Sequence, residues 1–148
     1  MENQSFSTVI WVDQTPEEVF NVILDVRKWW SGLFDESFEG SSEKVGDEFS
    51  FRAGNGAHYT RQKLIELVPG KKVVWLVTDS NLSFVNTVDE WTGTKIVFEI
   101  LEEEGKTKIV FSHLGLVPDF ECYDACSSAW TQYMRERLTN AVVQLDTF

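Results

Sequence analysis

The sequence is poor in cysteine, and this shortage excludes two classes of protein. Its two cysteines, Cys122 and Cys126, are too few for a disulfide framework. They stand four positions apart in a segment predicted to be helical, and two thiols do not complete a tetrahedral metal site. Neither His58 nor His113 has the local spacing that would supply the remaining ligands, so we expect no metal and no other cofactor.

Basic residues are also scarce, since 13 Lys and Arg stand against 24 Asp and Glu, for a formal charge of −11. The acidic residues are spread along the chain, which is typical of a solvated surface. Binding of nucleic acid needs a basic stripe, and the nearest approach to one is Lys71 and Lys72 beside a turn. We therefore expect no nucleic-acid partner and no binding to an anionic membrane.

Long apolar runs are missing as well, and none approaches the length of a membrane span. The N-terminal residues MENQSFSTVIW lack the basic and then apolar order of a signal peptide, so we expect a cytoplasmic protein. The 148 residues contain no internal repeat, linker or low-complexity segment. A length of this kind predicts one domain over residues 1–148.

Aromatic residues, by contrast, are abundant and make up 14% of the chain. Six are tryptophans, namely Trp11, Trp29, Trp30, Trp75, Trp91 and Trp130. Each is a large ring whose N–H needs a place. Most are expected to fill the core, and a minority to line a pocket.

The first third of the chain predicts a strand followed by two short helices. Residues 5–12 are rich in β-branched side chains and predict a strand. Thr15 is suited to cap a helix, Pro16 to take its first position and Glu18 to close a capping box. The apolar spacing carries this helix to about Leu24. A second helical turn is predicted over 26–30.

Five further strands are predicted, separated by turn signals. They are Phe49–Arg52, Tyr59–Val68, Val73–Thr78, Thr94–Glu102 and Thr107–Leu114. The tight turns are predicted at Gly54-Asn55-Gly56, at Pro69-Gly70 and at Glu103-Glu104-Gly105. Residues 79–93 predict a mobile rim, in which Leu82–Val85 has the composition of a short strand.

The last segment predicts one long amphipathic helix that starts after Pro118 and is capped by Asp119. Its apolar residues recur every three or four positions: Tyr123, Cys126, Trp130, Tyr133, Met134, Leu138, Ala141, Val142 and Leu145. At about 1.5 Å per residue the helix would be about 40 Å long. The order of elements predicts the α+β class, with an antiparallel sheet of six to seven strands curved around this helix. A gap between the two is the natural pocket.

Several stretches resemble the START-like (SRPBCC, birch-pollen-allergen-like) helix-grip superfamily, over essentially the whole chain. The resemblance is closest to bacterial relatives of the Aha-type activators of a heat-shock chaperone ATPase. Its marks are residues 15–20, Trp29-Trp30, 69–75, 90–94, 111–118 and Trp130. The resemblance implies a helix-grip fold. It leaves function open, because members of this fold include lipid and hormone carriers, polyketide cyclases, ring-hydroxylase subunits and chaperone regulators.

The candidate ligand-binding residues are Trp30, Phe34, Trp75, Phe111, His113, Tyr123, Trp130 and Met134. His113 ends an apolar row on the last strand, where alternation places Thr107, Ile109 and Phe111 on the same face. It is a weak candidate for a general base or for a hydrogen bond to a ligand. The alternative is a structural histidine bonded to backbone or to Tyr123.

Three functions from different classes follow from these features. The aromatic face and the helix-grip resemblance favour a protein that binds a small apolar molecule. The closest relatives imply, as an alternative, a regulator that binds a chaperone or another protein. A third hypothesis is a cyclase- or hydrolase-like enzyme, with His113 as acid or base and Tyr123 as an orienting donor. No nucleophile motif supports the enzyme, and the acids Asp119, Glu121 and Asp124 are expected to cap the helix start.

Overall fold

A computed structural model describes residues 5–54 and 56–143, which form a seven-stranded antiparallel sheet with helices packed against one face. In chain order the elements are β1 Phe6–Val12, α1 Pro16–Leu24, α2 Val26–Trp29, β2 Ser37–Gly40, β3 Glu48–Ala53, β4 His58–Val68, β5 Lys72–Leu82, β6 Lys95–Glu103, β7 Lys106–Leu114, α3 Tyr123–Gln132, a π-helical segment Tyr133–Leu138, and α4 Thr139–Val143. We call the last three segments together the terminal helix. This arrangement confirms the predicted α+β class and the strand count.

The sheet has the order β1-β7-β6-β5-β4-β3-β2, so the first and last strands of the chain are neighbours. Their register places Phe6 opposite His113 and Val12 opposite Thr107. Along β7 buried and partly exposed residues alternate, and the buried set includes Ile109 and Phe111. The predicted shared face of β7 is therefore confirmed, and it lies on the side that packs against the helices.

Helix α1 begins as its local sequence predicts. The Thr15 hydroxyl oxygen accepts from the Glu18 backbone N–H (3.2 Å), and a Glu18 carboxylate oxygen accepts from the Thr15 backbone N–H (2.9 Å). Pro16 occupies the first helical turn, where its missing N–H removes no hydrogen bond. The helix buries Val19 and Ile23 in the core.

We expect Thr15→Ala to lower the free energy of unfolding by about 1 kcal/mol, because the first-turn N–H of Glu18 then loses its acceptor. Urea denaturation followed by circular dichroism measures this loss. Thr15→Ser is the matched control and should stay within a few tenths of a kcal/mol of the wild type, since it keeps the hydroxyl. Equal losses in the two variants would contradict a role for the cap.

Two of the predicted turns are present among the described residues. Glu104 and Gly105 both have positive φ, 54° and 81°, as the central residues of a two-residue hairpin between β6 and β7. At the β4–β5 turn the Lys71 N–H donates to the Val68 carbonyl oxygen (2.9 Å), and Gly70 has φ of 74°. Asn55, the centre of the third predicted turn, lies outside the described residues, as do Leu145 and the first four residues.

The rim at residues 79–93 differs from its prediction. Strand β5 does not stop at Thr78 but continues to Leu82, because β4 supplies partners as far as the His58–Leu82 pair. Leu82–Val85, despite its strand-like composition, forms no strand of its own, since Leu82 ends β5 and turns follow it.

The terminal helix starts later than predicted and is not regular. Asp119 lies in a turn rather than at the cap, and the helix begins at Tyr123 with Cys122 at the N-cap. Tight turns account for the delay, since the Phe120 N–H donates to the Val117 carbonyl oxygen and the Tyr123 N–H to that of Phe120. The described helix, Tyr123 to Val143, is about 30 Å long at 1.5 Å per residue. None of the helices in the described part of the chain is long and apolar enough to cross a membrane.

Candidate ligand cavity

A cavity of about 290 Å³ lies between one end of the sheet and the first turns of the terminal helix. The sheet contributes Phe51, Ala53 and His58, of which the last two are paired across β3 and β4. The terminal helix contributes one face: Ala125, Cys126, Ala129, Trp130 and Tyr133. The cavity is therefore the predicted gap between sheet and helix.

Loops close the remaining sides of the cavity. Trp30 and Phe34 come from the segment that follows α2, and Phe84 and Trp91 from the loop between β5 and β6. Phe34 and Phe84 are 42% and 48% exposed, whereas Trp30 and Trp91 are buried. The two phenylalanines therefore flank the mouth and the two tryptophans form inner walls.

Small residues make the space. Ala53, Gly54, Ala57, Ala125 and Ala129 all line the cavity, on both the sheet side and the helix side. Large rings at these positions would fill the volume, as they fill the rest of the core.

The aromatic walls pack on one another rather than into the cavity. The rings of Trp30 and Phe51 are stacked with centroids 4.4 Å apart, and those of Trp91 and Trp130 lie nearly parallel at 5.9 Å. Trp30 also contacts Trp130, at 5.1 Å. Rings held from several sides keep fixed positions, so this side of the cavity is a rigid apolar wall.

His113 lies behind this wall, fully buried, and both of its ring nitrogens are engaged. The Trp130 indole N–H donates to His113 Nδ1 (3.0 Å). His113 Nε2 therefore carries the proton and donates it to Thr94 Oγ1 (2.8 Å). The Thr94 hydroxyl in turn donates to the Trp91 carbonyl oxygen (2.6 Å). A neutral imidazole has one donor and one acceptor nitrogen, and in this network each of them has a partner.

Burial, with a smaller contribution from the nearby imidazole of His58, lowers the pKa of His113 to about 3. The ring is thus neutral at physiological pH and has no free nitrogen to meet a ligand. The partners that the sequence suggested were backbone or Tyr123, and the observed ones are Thr94 and Trp130 instead.

His58, unlike His113, lies in the cavity wall itself, where aromatic side chains surround its ring. It makes edge contacts with Trp91 (4.7 Å) and Phe51 (5.5 Å) and is stacked with Phe84 (6.2 Å between centroids). Burial lowers its pKa to about 4, so this imidazole is also neutral at pH 7. Within residues 5–54 and 56–143 neither His58 nitrogen has a hydrogen-bond partner, and neither is sealed from solvent.

The mouth of the cavity is organised by the Glu36 carboxylate. It accepts from the backbone N–H groups of Gly32 (2.9 Å) and Phe34 (3.0 Å). It also accepts from the hydroxyl of Tyr133. Burial and the Glu36 carboxylate raise the pKa of Tyr133, so its hydroxyl stays protonated and bound to Glu36.

The loop that carries Phe84 and Trp91 is fastened to the start of the terminal helix. The Glu90 carboxylate accepts from the backbone N–H groups of Glu121 (2.7 Å) and Cys122 (3.2 Å), so it holds the turn that leads into the helix. The Glu121 carboxylate accepts from the Thr87 N–H (2.7 Å). The prediction that Glu121 caps the helix is therefore wrong, because it bonds to the loop.

The structure places three of the eight sequence-predicted residues, Trp30, Phe34 and Trp130, in the cavity wall. Phe111 and His113 lie one layer behind, in ring contact with Trp130 at 4.6 and 5.9 Å.

The other three predicted residues lie away from the cavity. Trp75 is opposite Leu64, six residues along β4 from His58, which is about 20 Å at 3.3 Å per residue. Its indole N–H donates to Ser42 Oγ (2.9 Å). Met134 is fully buried in the core, and Tyr123 packs against the core without lining the cavity.

Other wall residues were not singled out from the sequence: Phe51, His58, Phe84, Trp91, Cys126 and Tyr133. Trp91 could have been found from the sequence, because it belongs to residues 90–94, one of the stretches that resemble the superfamily. The thiol of Cys126 is held protonated, since its pKa is raised by the Cys122 thiol and by burial. Among the described residues no group of three or more His, Cys, Asp or Glu side chains is placed to hold a metal ion.

Comparison with known proteins connects this geometry to a family. A family profile described as "Activator of Hsp90 ATPase homolog 1-like protein" matches residues 13–142. The solution structure of the Aha1 dimer from Colwellia psychrerythraea is similar with a TM-score of 0.72 at 23% identity, covering 94% of this chain and 96% of that one. A comparison with functionally curated sequences gave no match.

Two further structures extend the likeness. Protein CV1439 from Chromobacterium violaceum has a TM-score of 0.69 at 18% identity, with 93% of this chain and 96% of that one covered. DynU16, a protein of the dynemicin biosynthetic locus, has a TM-score of 0.60 at 12% identity, covering 94% of this chain and 47% of its own. At these identities the likeness shows the fold alone, and it confirms the predicted helix-grip architecture.

Proposed function

This chain belongs to the family of activator of Hsp90 ATPase homolog 1-like proteins, and from that premise we propose that it binds a small apolar molecule. The binding site is the cavity between the sheet and the terminal helix. The observation that carries the proposal is a preorganised aromatic wall around unfilled space, which small residues keep open. Unfilled space of this kind lowers the stability of a packed core, so its presence here favours a role in binding.

The size of the cavity supports a small ligand rather than a lipid with a long chain. An apolar cavity of about 150 Å³ is enough to bind benzene. The cavity here, at about 290 Å³, is roughly twice that size. We therefore propose a ligand of about two rings, or an aliphatic molecule of similar volume.

We expect freshly purified protein, or protein exposed to a library of apolar compounds, to carry a small molecule in native mass spectrometry. Denaturing extraction then identifies it. Ala129→Phe should abolish the bound mass, because the ring fills the space beside Trp130. Ser128→Phe is the matched control, since it adds the same ring at an exposed position of the same helix.

Occupancy should therefore fall in Ala129→Phe and be unchanged in Ser128→Phe. A clean unliganded mass with no binding from the library would contradict the proposal. So would equal occupancy in both variants.

A second candidate function is regulation of a chaperone or another protein partner. Its support is the family, together with an apolar patch on the outer face of the sheet. There Trp11 is 48% exposed and Leu101 44% exposed, and both flank Lys108 across β1, β7 and β6. Exposed apolar side chains gathered on one face of a sheet are a feature of protein interaction sites. An Hsp90-type ATPase assay with wild type and Trp11→Ser tests this function, and no change in rate with the wild type would contradict it.

The enzyme hypothesis receives no support from the geometry, because both His113 nitrogens are bonded within the protein. We further propose a cytoplasmic location. Its support is the pair of free, buried thiols of Cys122 and Cys126, which suit a reducing compartment.

A further inference from the structure

We propose that the cavity selects an uncharged, flat molecule of about two fused rings that carries one hydroxyl group, and that His58 is the residue that recognises this hydroxyl. The inference rests on the proposed ligand-binding function and names the class of ligand. It joins three observations: the lining of the cavity, the position of His58 and the volume.

The lining excludes charged ligands. No Lys, Arg, Asp or Glu is among the described residues that line the cavity. A carboxylate or ammonium group transferred from water into this space would have no opposite charge to pair with, and such a transfer is strongly unfavourable. The Tyr133 hydroxyl, which also lines the cavity, is not free to bond to a charged ligand, because it donates to Glu36. Carboxylic acids, amines and phosphate esters are therefore rejected.

His58 gives the cavity one polar position. Its neutral imidazole offers one N–H donor and one acceptor nitrogen, and neither has a partner among the described residues. A purely apolar ligand that covers these atoms would leave them without a hydrogen bond, which lowers affinity. A hydroxyl group both donates and accepts, so it satisfies either nitrogen. A ligand with one hydroxyl group therefore gains a hydrogen bond from His58 that a purely apolar ligand lacks.

The rings around His58 favour a flat ligand. Phe84 is stacked on the imidazole with an angle of 20° between planes, and Trp91 meets it edge-on at 83°. Aromatic rings pack on one another by offset stacking or edge-to-face contact, so a planar aromatic ligand suits this wall. A volume about twice that which admits benzene sets the size at about two rings.

The test uses three probes of the same shape: naphthalene, 2-naphthol and 2-naphthoate, titrated at pH 7 by isothermal calorimetry and by tryptophan fluorescence. We expect the wild type to bind 2-naphthol about three- to tenfold more tightly than naphthalene, the ratio that one added hydrogen bond supports. 2-Naphthoate should not bind detectably.

His58→Phe keeps a flat ring among the aromatic neighbours and removes both nitrogens. It should bind naphthalene within about twofold of the wild type and lose the preference for 2-naphthol. His58→Gln restores a donor and an acceptor and should recover part of the preference. Near-UV circular dichroism confirms that each variant is folded before titration.

The outcomes separate this inference from the function on which it rests. If the preference for 2-naphthol survives in His58→Phe, or if 2-naphthoate binds as well as 2-naphthol, the role of His58 and the ligand class are overturned while ligand binding stands. If none of the three probes binds to the wild type and the native mass is clean, the proposed function itself is overturned.

Discussion

Trp130→Ala is expected to lower the melting temperature by about 13–19 °C, the largest loss of stability for any single substitution proposed for this protein. Trp130 is 2% exposed and contacts the rings of Trp29, Trp30 and Phe111, among others. Removal of a buried ring of this size costs about 3–5 kcal/mol. It also leaves His113 Nδ1 without its donor, which adds about 1 kcal/mol or more.

Two further variants separate the ring from its hydrogen bond. Trp130→Phe keeps an aromatic ring but removes the indole N–H, so it should cost about 1–3 kcal/mol and restrict the loss to the hydrogen bond and some packing. Trp11→Ala removes the same side chain from an exposed position and should cost less than about 1 kcal/mol. Urea denaturation and differential scanning calorimetry measure the series. A Trp130→Ala protein as stable as Trp11→Ala would show that the network around His113 does not hold the fold together.

Local signals explain why so much of the fold could be predicted. The cap of α1 needs only Thr15, Pro16 and Glu18, all within four residues, and the structure shows the predicted bonds. The turn at Glu104 and Gly105 likewise depends on a glycine, which adopts positive φ without strain. Alternation along β7 depends only on the two-residue period of a strand.

The start of the terminal helix could not be predicted from local pattern, because a distant residue holds the turn that precedes it. Asp119 satisfies every local rule for a cap, but Glu90, about 30 positions earlier, binds the backbone N–H groups of Glu121 and Cys122. A carboxylate delivered by a loop has no sequence spacing that would reveal it. The π-helical segment at Tyr133–Leu138 was not predicted either, because its apolar residues recur at the same intervals as in an α-helix.

The sequence predicted the position of the cavity between sheet and helix, but it predicted only some of the residues that line the cavity. Trp75 and Trp91 look alike in sequence, and one fills the core beside Phe49 while the other forms a wall of the cavity. The difference is set by small residues such as Ala125 and Ala129, which leave space next to Trp91 and have no signature of their own. A packed interior and a cavity wall use the same residue types.

A fall in pH from 7.5 to 5 is expected to destabilise this protein. His113 has a pKa of about 3 in the folded protein and about 6.5 when the chain is unfolded. The unfolded state therefore binds more protons between these values, and stability rises with pH across that range. The contribution is complete above pH 6.5 and is lost as the pH falls toward 3. From pH 7.5 to pH 5 the loss from His113 alone is about 2 kcal/mol.

Between pH 7.5 and pH 5 the change in stability is expected to come mainly from His58 and His113. Asp47 and Glu121 have pKa values below their usual range because they accept hydrogen bonds from backbone N–H groups, first from Glu43 and Thr87 respectively. Such carboxylates stabilise the fold above their unfolded pKa and lose that effect only at lower pH. His58, with a pKa of about 4, adds to the loss in the same direction as His113.

Urea denaturation at half-unit steps of pH measures this dependence, and His113→Asn identifies its source. The asparagine amide oxygen can accept from the Trp130 indole N–H but does not titrate, so the variant should be less stable than wild type at pH 7.5 and should have a shallower slope toward pH 5. His113→Asn combined with His58→Phe should be nearly flat over this window. A wild-type slope that persists unchanged in His113→Asn would mean that folding does not lower the pKa of His113, and the buried neutral hydrogen-bond network through Trp130 and Thr94 would then be wrong.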